Sequence, residues 1–141
     1  MMDNSDIRWQ QRFKNFERAL HLLAEFVDEP KDIFALKPIT KEGFILRFRA
    51  TFELAWKTLK DKMEHDGLSI EKASPKYVLK LAYQANYITN IESWLAMCND
   101  RNLMSHTYDF KKFDKVLKSL QDNYYTLLSE LHTDLIEAQL K

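Results

Sequence analysis

The stretch FRATFELAWKTLKDKM, residues 48–63, decides the fold. Its apolar residues recur at steps of three and four, which is the spacing of one face of an α-helix. These residues are Phe48, Phe52, Ala55, Leu59 and Met63. Further apolar residues widen that face: Phe44, Ile45 and Trp56. The pattern therefore predicts a central helix that contacts neighbours on more than one side.

The ends of this helix are marked by residues that suit a cap. Thr40 is a plausible N-cap, so we expect the helix to begin there. Gly67 follows His65 and Asp66, and glycine is favoured just past a helix end because it adopts left-handed backbone angles without strain. The helix is therefore predicted to run from about residue 40 to residue 65.

Four more helices are predicted around it. The first runs from about Asp6 to Asp28 and carries its own apolar stripe. Ser74 followed by proline opens a short third helix, Asn90 is expected to cap a fourth, and Asp109 a fifth. The stripe of the fifth helix consists of Phe113, Leu117, Leu120, Tyr124, Leu127 and Leu131.

Composition and connectivity agree with an all-α fold. Only two glycines and three prolines occur in 141 residues, and no alternating apolar run predicts a strand. Long amphipathic helices joined by short links favour an antiparallel up-and-down four-helix bundle with one additional short helix. The length fits a single domain over residues 1–141.

Composition also limits location and partners. Cys98 is the one cysteine, the first ten residues are polar, and no apolar run reaches the roughly 20 residues of a membrane span. A cytoplasmic protein without membrane contact is therefore expected. Lysine plus arginine and aspartate plus glutamate number 21 each, so a nucleic-acid role would need a local basic cleft.

Several kinds of catalytic site are excluded by spacing. The four histidines form no metal-binding motif with cysteine or glutamate, and no glycine-rich loop could hold a phosphate. We therefore expect no metal and no cofactor. Cys98 lies on an apolar helical face, which favours a buried hydrophobic role over a nucleophilic one. Trp56 and Trp94 are likewise expected in the core and not as platforms for base stacking.

One segment is unusually polar for a bundle. Residues 98–109 contain only two apolar side chains after Cys98, namely Leu103 and Met104. Asp109 as an N-cap predicts that the fourth helix ends near Thr107. On that helix Arg101, Ser105 and Tyr108 would share one stripe, with Asn102 and His106 on the next.

This set of side chains suits metal-free chemistry on a phosphodiester. Arginine offers a planar fork of donors to phosphate oxygens and stabilises growing negative charge. Histidine can take a proton from a ribose 2′-hydroxyl or give one to a leaving oxygen. The alternative is a structural helix end, in which Arg101 pairs with an acid such as Glu53. Spacing alone leaves both interpretations open.

Two segments of the chain resemble a known family. Arg101, His106 and Tyr108 match the R-x4-H-x-Y signature of HEPN domains. Residues 51–60, then Ser74 with its following proline, then residues 100–108 are similar to bacterial nucleotidyltransferase substrate-binding proteins. The resemblance covers helices two to five.

The resemblance implies a helical bundle that dimerises and associates with a minimal nucleotidyltransferase. Many HEPN members with this motif are toxin ribonucleases that use no metal, with two motifs facing each other across the dimer. Their partner acts as antitoxin and in some pairs adds AMP to the motif tyrosine. The implied catalytic residues are Arg101 and His106, and Tyr108 is the implied modification site.

The resemblance also implies residues that bind nucleotide or RNA. They are Asn102, Tyr108, Lys57 and Glu53, with Asn102 expected to position phosphate or the histidine. The alternative function is a non-catalytic subunit that presents a nucleotide to the nucleotidyltransferase, because this chain lacks the carboxylate motif for nucleotidyl transfer. Between Phe44 and Lys62, helix two carries five cations, namely Arg47, Arg49, Lys57, Lys60 and Lys62. For most of them, ordinary ion pairs on a solvated helix face are expected.

Overall fold

A computed structural model of the chain describes residues 4–28, 32–106 and 109–140. These ranges form helices and connecting turns, without a strand in any of them. The helices are α1 (Asn4–Asp28), α2 (Pro38–His65), α3 (Pro75–Gln84), α4 (Ile91–Met104), α5 (Phe110–Ser119) and α6 (Tyr125–Leu140). A 3₁₀ turn, Ile33–Ala35, precedes α2, and a π-helical segment, Leu120–Tyr124, joins α5 to α6. The prediction of an all-α fold is confirmed.

Contacts between helices establish an up-and-down bundle. Helices α1 and α2 are antiparallel, since Arg12 pairs with Asp61 near one end and Arg47 with Glu25 near the other. Helices α1 and α6 are also antiparallel, because Glu17 contacts His132 while Gln10 contacts Gln139. Together with α4, these helices make the four-helix bundle, and α3 is the additional short helix.

Helix α2 is the centre of the core, as its stripe predicted. Its five stripe residues are all at most 1% exposed. The helix contacts α1, α3, α4, α5 and α6, so the expectation of neighbours on several sides is confirmed. Trp56 and Trp94 are 5% and 2% exposed, and both belong to the same hydrophobic cluster as this stripe.

Two predicted helix ends are confirmed and one is corrected. Gly67 has φ +96° and follows α2, where the N–H of Leu68 donates to the carbonyl of Met63 over 2.9 Å. Asp109 caps α5 through its side chain, which accepts from the N–H of Lys111 over 2.9 Å. Helix α2 begins at Pro38 and not after Thr40, because proline is pre-set for the first helical position.

Two other predicted caps occupy the right place without a side-chain bond. Ser74 precedes α3 with extended backbone, and Asn90 precedes α4 in the left-handed region at φ 54°. In both cases the carbonyl, not the side chain, accepts the first helical hydrogen bond, from Val78 and Trp94 respectively. Helix boundaries were therefore predicted correctly here, although the side chain does not make the expected contact.

The predicted fifth helix is interrupted. All six stripe residues are buried, so its inward face is as expected. The π-helical segment Leu120–Tyr124 nevertheless inserts a wider turn between α5 and α6. A π turn rotates the helix beyond it without changing which residues are apolar, so the stripe alone does not reveal it.

No helix among the described ranges is long and apolar enough to cross a membrane.

Candidate functional site

Arg101 reaches from the last turn of α4 to α2. Its Nη2 forms an ion pair with Oε2 of Glu53, and its Nη1 donates to Oδ1 of Asn102 over 3.1 Å. The guanidinium lies over the ring of Phe52, with Cζ 5.4 Å from the ring centroid. The pairing of Arg101 with Glu53 was predicted as one possibility and is present. The arginine is therefore held in one orientation, with its side chain only 20% exposed.

Glu53 contacts three side chains at this point, of which Arg101 is the first. Its Oε2 also accepts from the indole Nε1 of Trp56 over 3.0 Å, and its Oε1 lies 3.1 Å from Nζ of Lys57. Burial alone would raise the pKa of Glu53. Hydrogen bonds from Trp56 and Lys57 and the positive charges of Arg101 and Lys57 outweigh burial, so this pKa lies below its ordinary value. The carboxylate is therefore ionised at neutral pH.

His106 lies beyond the end of α4, which corrects the predicted helix end near Thr107. The helix ends at Met104, with Ser105 as its C-cap. The N–H of His106 donates to the carbonyl of Leu103 over 3.1 Å, and the hydroxyl of Ser105 donates to the carbonyl of Arg101 over 3.2 Å. The imidazole is exposed and makes no hydrogen bond to another described side chain.

The structure thus brings together some of the predicted site residues. Arg101, Asn102, Glu53 and Lys57 form one connected cluster. His106 lies four positions after Asn102, on an exposed turn. Tyr108, predicted both to bind nucleotide and to be modified, lies outside the described residues, as does Thr107.

A second contact holds the same end of α4. The hydroxyl of Tyr124 donates to Oδ2 of Asp100 over 2.5 Å, and its ring stacks on Phe48 at 5.9 Å between centroids. Burial first, and then the bond to Asp100 and its charge, raise the pKa of Tyr124. Tyr124 is part of the π-helical segment, so this segment holds Asp100, the residue that precedes Arg101, in place. The sequence places Tyr124 on the inward stripe of the fifth helix and Asp100 in the polar segment, but it does not predict their contact.

Cys98, Trp94 and Trp56 are buried, as the sequence predicts. Cys98 is 1% exposed, and burial raises the pKa of its thiol, which makes it a poor nucleophile. Trp94 is a core residue. Trp56 is also a core residue, but its donation to Glu53 was not predicted, although a spacing of three on one helix would allow it.

Within the described ranges, no three histidine, cysteine, aspartate or glutamate side chains are arranged to hold a metal ion.

Comparisons with known proteins show the family to which the chain is related. A family model described as "Nucleotidyltransferase substrate binding protein like" matches residues 11–137. A protein named "Probable ribonuclease HepT", from Haemophilus influenzae, is 29% identical over 83 residues. That match spans 57% of each protein's length, so the chain matches little more than half of this relative.

A solved structure from Thermus thermophilus has the same fold. It is 32% identical in sequence, with a TM-score of 0.71, and the superposition covers 82% of this chain and 94% of the other. The family model spans most of the chain and includes both segments on which the resemblance was based. The chain therefore belongs to the family of nucleotidyltransferase substrate binding protein like proteins.

Proposed function

We propose that this chain is the HEPN-type, RNA-binding subunit of a two-component nucleotidyltransferase system, and that it acts as a metal-independent ribonuclease toxin in a homodimer. The observation that carries the proposal is a fixed, mostly buried Arg101 at the end of α4, with an exposed His106 five positions later in the chain. One group suits phosphate binding and the other suits proton transfer. The name of the Haemophilus relative supports the same chemistry.

The proposed reaction needs only these two kinds of group. His106 removes the proton from a ribose 2′-hydroxyl, the 2′-oxygen attacks the adjacent phosphorus, and the bond to the 5′-oxygen breaks. A second histidine, from the other protomer, gives a proton to that leaving oxygen. Arg101 stabilises the negative charge on the phosphorane oxygens. The products are a 2′,3′-cyclic phosphate and a free 5′-hydroxyl.

Partner recognition is the second part of the proposal. The family description names a nucleotidyltransferase, which supports a protein of that class as partner. In the proposed system the partner acts as antitoxin and adds AMP to Tyr108, two residues after His106. An adenylyl group adds bulk and negative charge, and the negative charge would repel RNA phosphates, which accounts for inhibition.

Cleavage of RNA in the presence of EDTA tests the proposal. Purified wild-type protein is expected to cut a single-stranded RNA and to leave 2′,3′-cyclic phosphate ends. His106→Ala is expected to reduce the rate by about 100-fold or more, since general acid–base catalysis contributes at least that factor. The matching DNA oligonucleotide should remain intact, because it lacks the attacking hydroxyl.

His21→Ala is the matched control, because His21 is an exposed histidine on α1. It should cleave RNA at the wild-type rate. Intact RNA after prolonged incubation with partner-free wild-type protein, or equal rates for wild type and His106→Ala, would contradict the ribonuclease.

The second candidate function is a non-catalytic subunit that binds a nucleotide for the nucleotidyltransferase. The ion pair between Arg101 and Glu53 favours it, since a carboxylate already occupies the arginine that a transition state would need. In that case calorimetry would show nucleotide binding and a stable complex with the partner, and no RNA would be cut. Absence of both kinds of binding would contradict this second function.

A further inference from the structure

Most cations of α2 have a carboxylate partner. Arg47 pairs with Glu25 at 2.9 Å and also donates to the carbonyl of Leu22. The three lysines pair with acids one turn away along the same helix: Lys57 with Glu53, Lys60 with Glu64 and Lys62 with Asp66. For these four residues the expectation of ordinary ion pairs is confirmed.

Arg49 is the exception among the five. Its Nε is buried and has no hydrogen-bond partner in the part of the chain that the structure describes. It also forms no ion pair with a carboxylate there. A buried donor without a partner is unfavourable unless a ligand supplies the acceptor. Arg49 is therefore the one cation of the five that has no carboxylate partner among the described residues.

The surroundings of Arg49 form a groove of about 280 Å³ between α2, the end of α4 and α5. Besides Arg49, the groove is lined by Ser105 of the polar segment and by the acidic side chain of Glu42. Its remaining lining is apolar and consists of Ile45, Leu46, Met104 and Phe113. Leu46 is 63% exposed, so an apolar surface is open to solvent beside the cation.

This groove continues the cluster around Arg101. Helices α2 and α4 are antiparallel here, since Glu53 lies opposite Arg101 and Arg49 lies opposite Ser105. Arg49 is one helical turn from Glu53, and Ser105 is one turn from Arg101. The two arginines are therefore successive cations along one side of the bundle, and His106 follows the second.

We propose that the Arg49 groove is a second phosphate subsite, which binds the backbone of single-stranded RNA next to the phosphate held by Arg101. The arginine fork supplies donors to the phosphate oxygens. The apolar lining contacts the face of the adjoining base without hydrogen bonds, so the subsite does not select a sequence. This inference rests on the proposed function, because it requires that RNA is the ligand.

Binding of a short 2′-O-methyl oligouridylate, which cannot be cleaved, tests the subsite. Affinity is measured by fluorescence anisotropy at several salt concentrations. Arg49→Gln is expected to weaken binding about 5- to 10-fold and to reduce the slope of log K against log salt by about 0.7, the value for one phosphate contact with a single strand. Arg49→Lys keeps the charge and should retain the wild-type slope.

Arg47→Gln is the matched control. It removes the same charge from the same helix two positions away, but from a residue paired with α1. Its affinity and salt slope should equal those of the wild type.

The outcomes separate this inference from the function on which it rests. If wild-type protein does not bind the oligonucleotide, both the proposed function and the subsite are wrong. If wild type binds and Arg49→Gln binds with the same affinity and slope, only the subsite is overturned. A loss of dimer in Arg49→Gln, seen by sedimentation, would assign the groove to a protein interface and also overturn the subsite.

Discussion

The ion pair between Glu53 and Arg101 fixes the orientation of the guanidinium, and it also limits how freely the guanidinium can bind a ligand. Glu53 keeps the guanidinium in place, and Phe52 supports it from below. In the proposed function, the same carboxylate would compete with an incoming phosphate for the arginine. Because Lys57 and Trp56 also contact Glu53, the carboxylate retains partners when Arg101 turns toward a ligand. Release of the arginine therefore does not leave an isolated buried charge.

Glu53→Gln is expected to make stability less dependent on pH. The pKa of Glu53 is lowered in the folded protein, so its contribution is fully present above the ordinary glutamate pKa. That contribution is lost as the pH falls through the lowered value. At pH 7 the variant should lose about 1 kcal/mol of unfolding free energy, a figure kept small because Glu53 is 36% exposed. Urea unfolding at pH 7 and near pH 3 measures the difference.

The control for this prediction is Glu25→Gln. Glu25 also pairs with an arginine, but its side chain is 62% exposed, so solvent screens the pair. Its loss should change stability by less than about 0.5 kcal/mol at either pH. An equal deficit of Glu53→Gln at both pH values would show that its charge is not responsible.

At the level of single residues, sequence reasoning found the ion pair but not its surroundings. Arg101 and Glu53 were matched by charge and by their place in two segments. Asp100 with Tyr124, and Arg49 with its groove, depend on how α2, α4 and the last helix pack against each other. Asp100 and Tyr124 are 24 positions apart, and no motif in the sequence links them.

At the level of elements, the two glycines affect the stability of α2 in opposite directions. Gly43 lies inside the helix, and Gly67 lies just past its C-terminal end. Gly67 has φ +96° just past the helix, where an L side chain is strained. Gly43 is inside the helix, and a Cβ there would meet nothing within 4 Å. One glycine is required by the backbone and the other only weakens the helix.

Substitution of each glycine by alanine should therefore shift stability in opposite directions. Gly67→Ala is expected to lower the unfolding free energy by about 1 kcal/mol, because the left-handed conformation disfavours a Cβ. Gly43→Ala should raise it by up to about 1 kcal/mol, because alanine is the better helix former. Urea midpoints of the two variants check both signs, and a shift in the same direction for both would contradict the assignment.

Helix ends were predictable where a single residue marks them, and they were not predictable where the end depends on contacts with other helices. Gly67 and Asp109 mark helix ends by local chemistry, and both signals were correct. The start of α2 was predicted at Thr40 instead of Pro38, because threonine suits an N-cap and proline suits the first helical position. The π segment keeps the apolar spacing intact, so only the structure could show it.

For the molecule as a whole, two tyrosine–aspartate contacts lie at opposite ends of α4. Tyr124 binds Asp100 at the end that carries the site, and Tyr87 binds Asp66 over 2.6 Å at the other. Tyr87 precedes α4 and Asp100 lies nine positions past the first residue of that helix, so roughly 14 Å of helix separates the two contacts. Burial, the bond and the charge of Asp66 also raise the pKa of Tyr87.

The losses from removing these two hydroxyls should add. Tyr124→Phe is expected to lower the unfolding free energy by about 2 kcal/mol, since a bond to a carboxylate is lost, and the more exposed Tyr87→Phe by about 1 kcal/mol. The double variant should match the sum within about 0.5 kcal/mol, because the sites share no partner. Urea unfolding of the three variants measures this, and a deviation above about 1 kcal/mol would contradict independent ends.

RNA affinity should respond to only one of these changes. Tyr124→Phe loosens the residue next to Arg101, whereas Tyr87→Phe acts at the far end. Equal losses of RNA affinity in both variants would place the site elsewhere on the bundle.

The bond from Trp56 to Glu53 has a practical consequence for the site. The chain has three tryptophans, and only the indole of Trp56 donates to the carboxylate that holds Arg101 within the described ranges. If the proposed function holds, a phosphate that draws Arg101 away from Glu53 changes the electric field across this indole. The intrinsic fluorescence of Trp56 is then expected to shift, so binding could be followed without an attached dye.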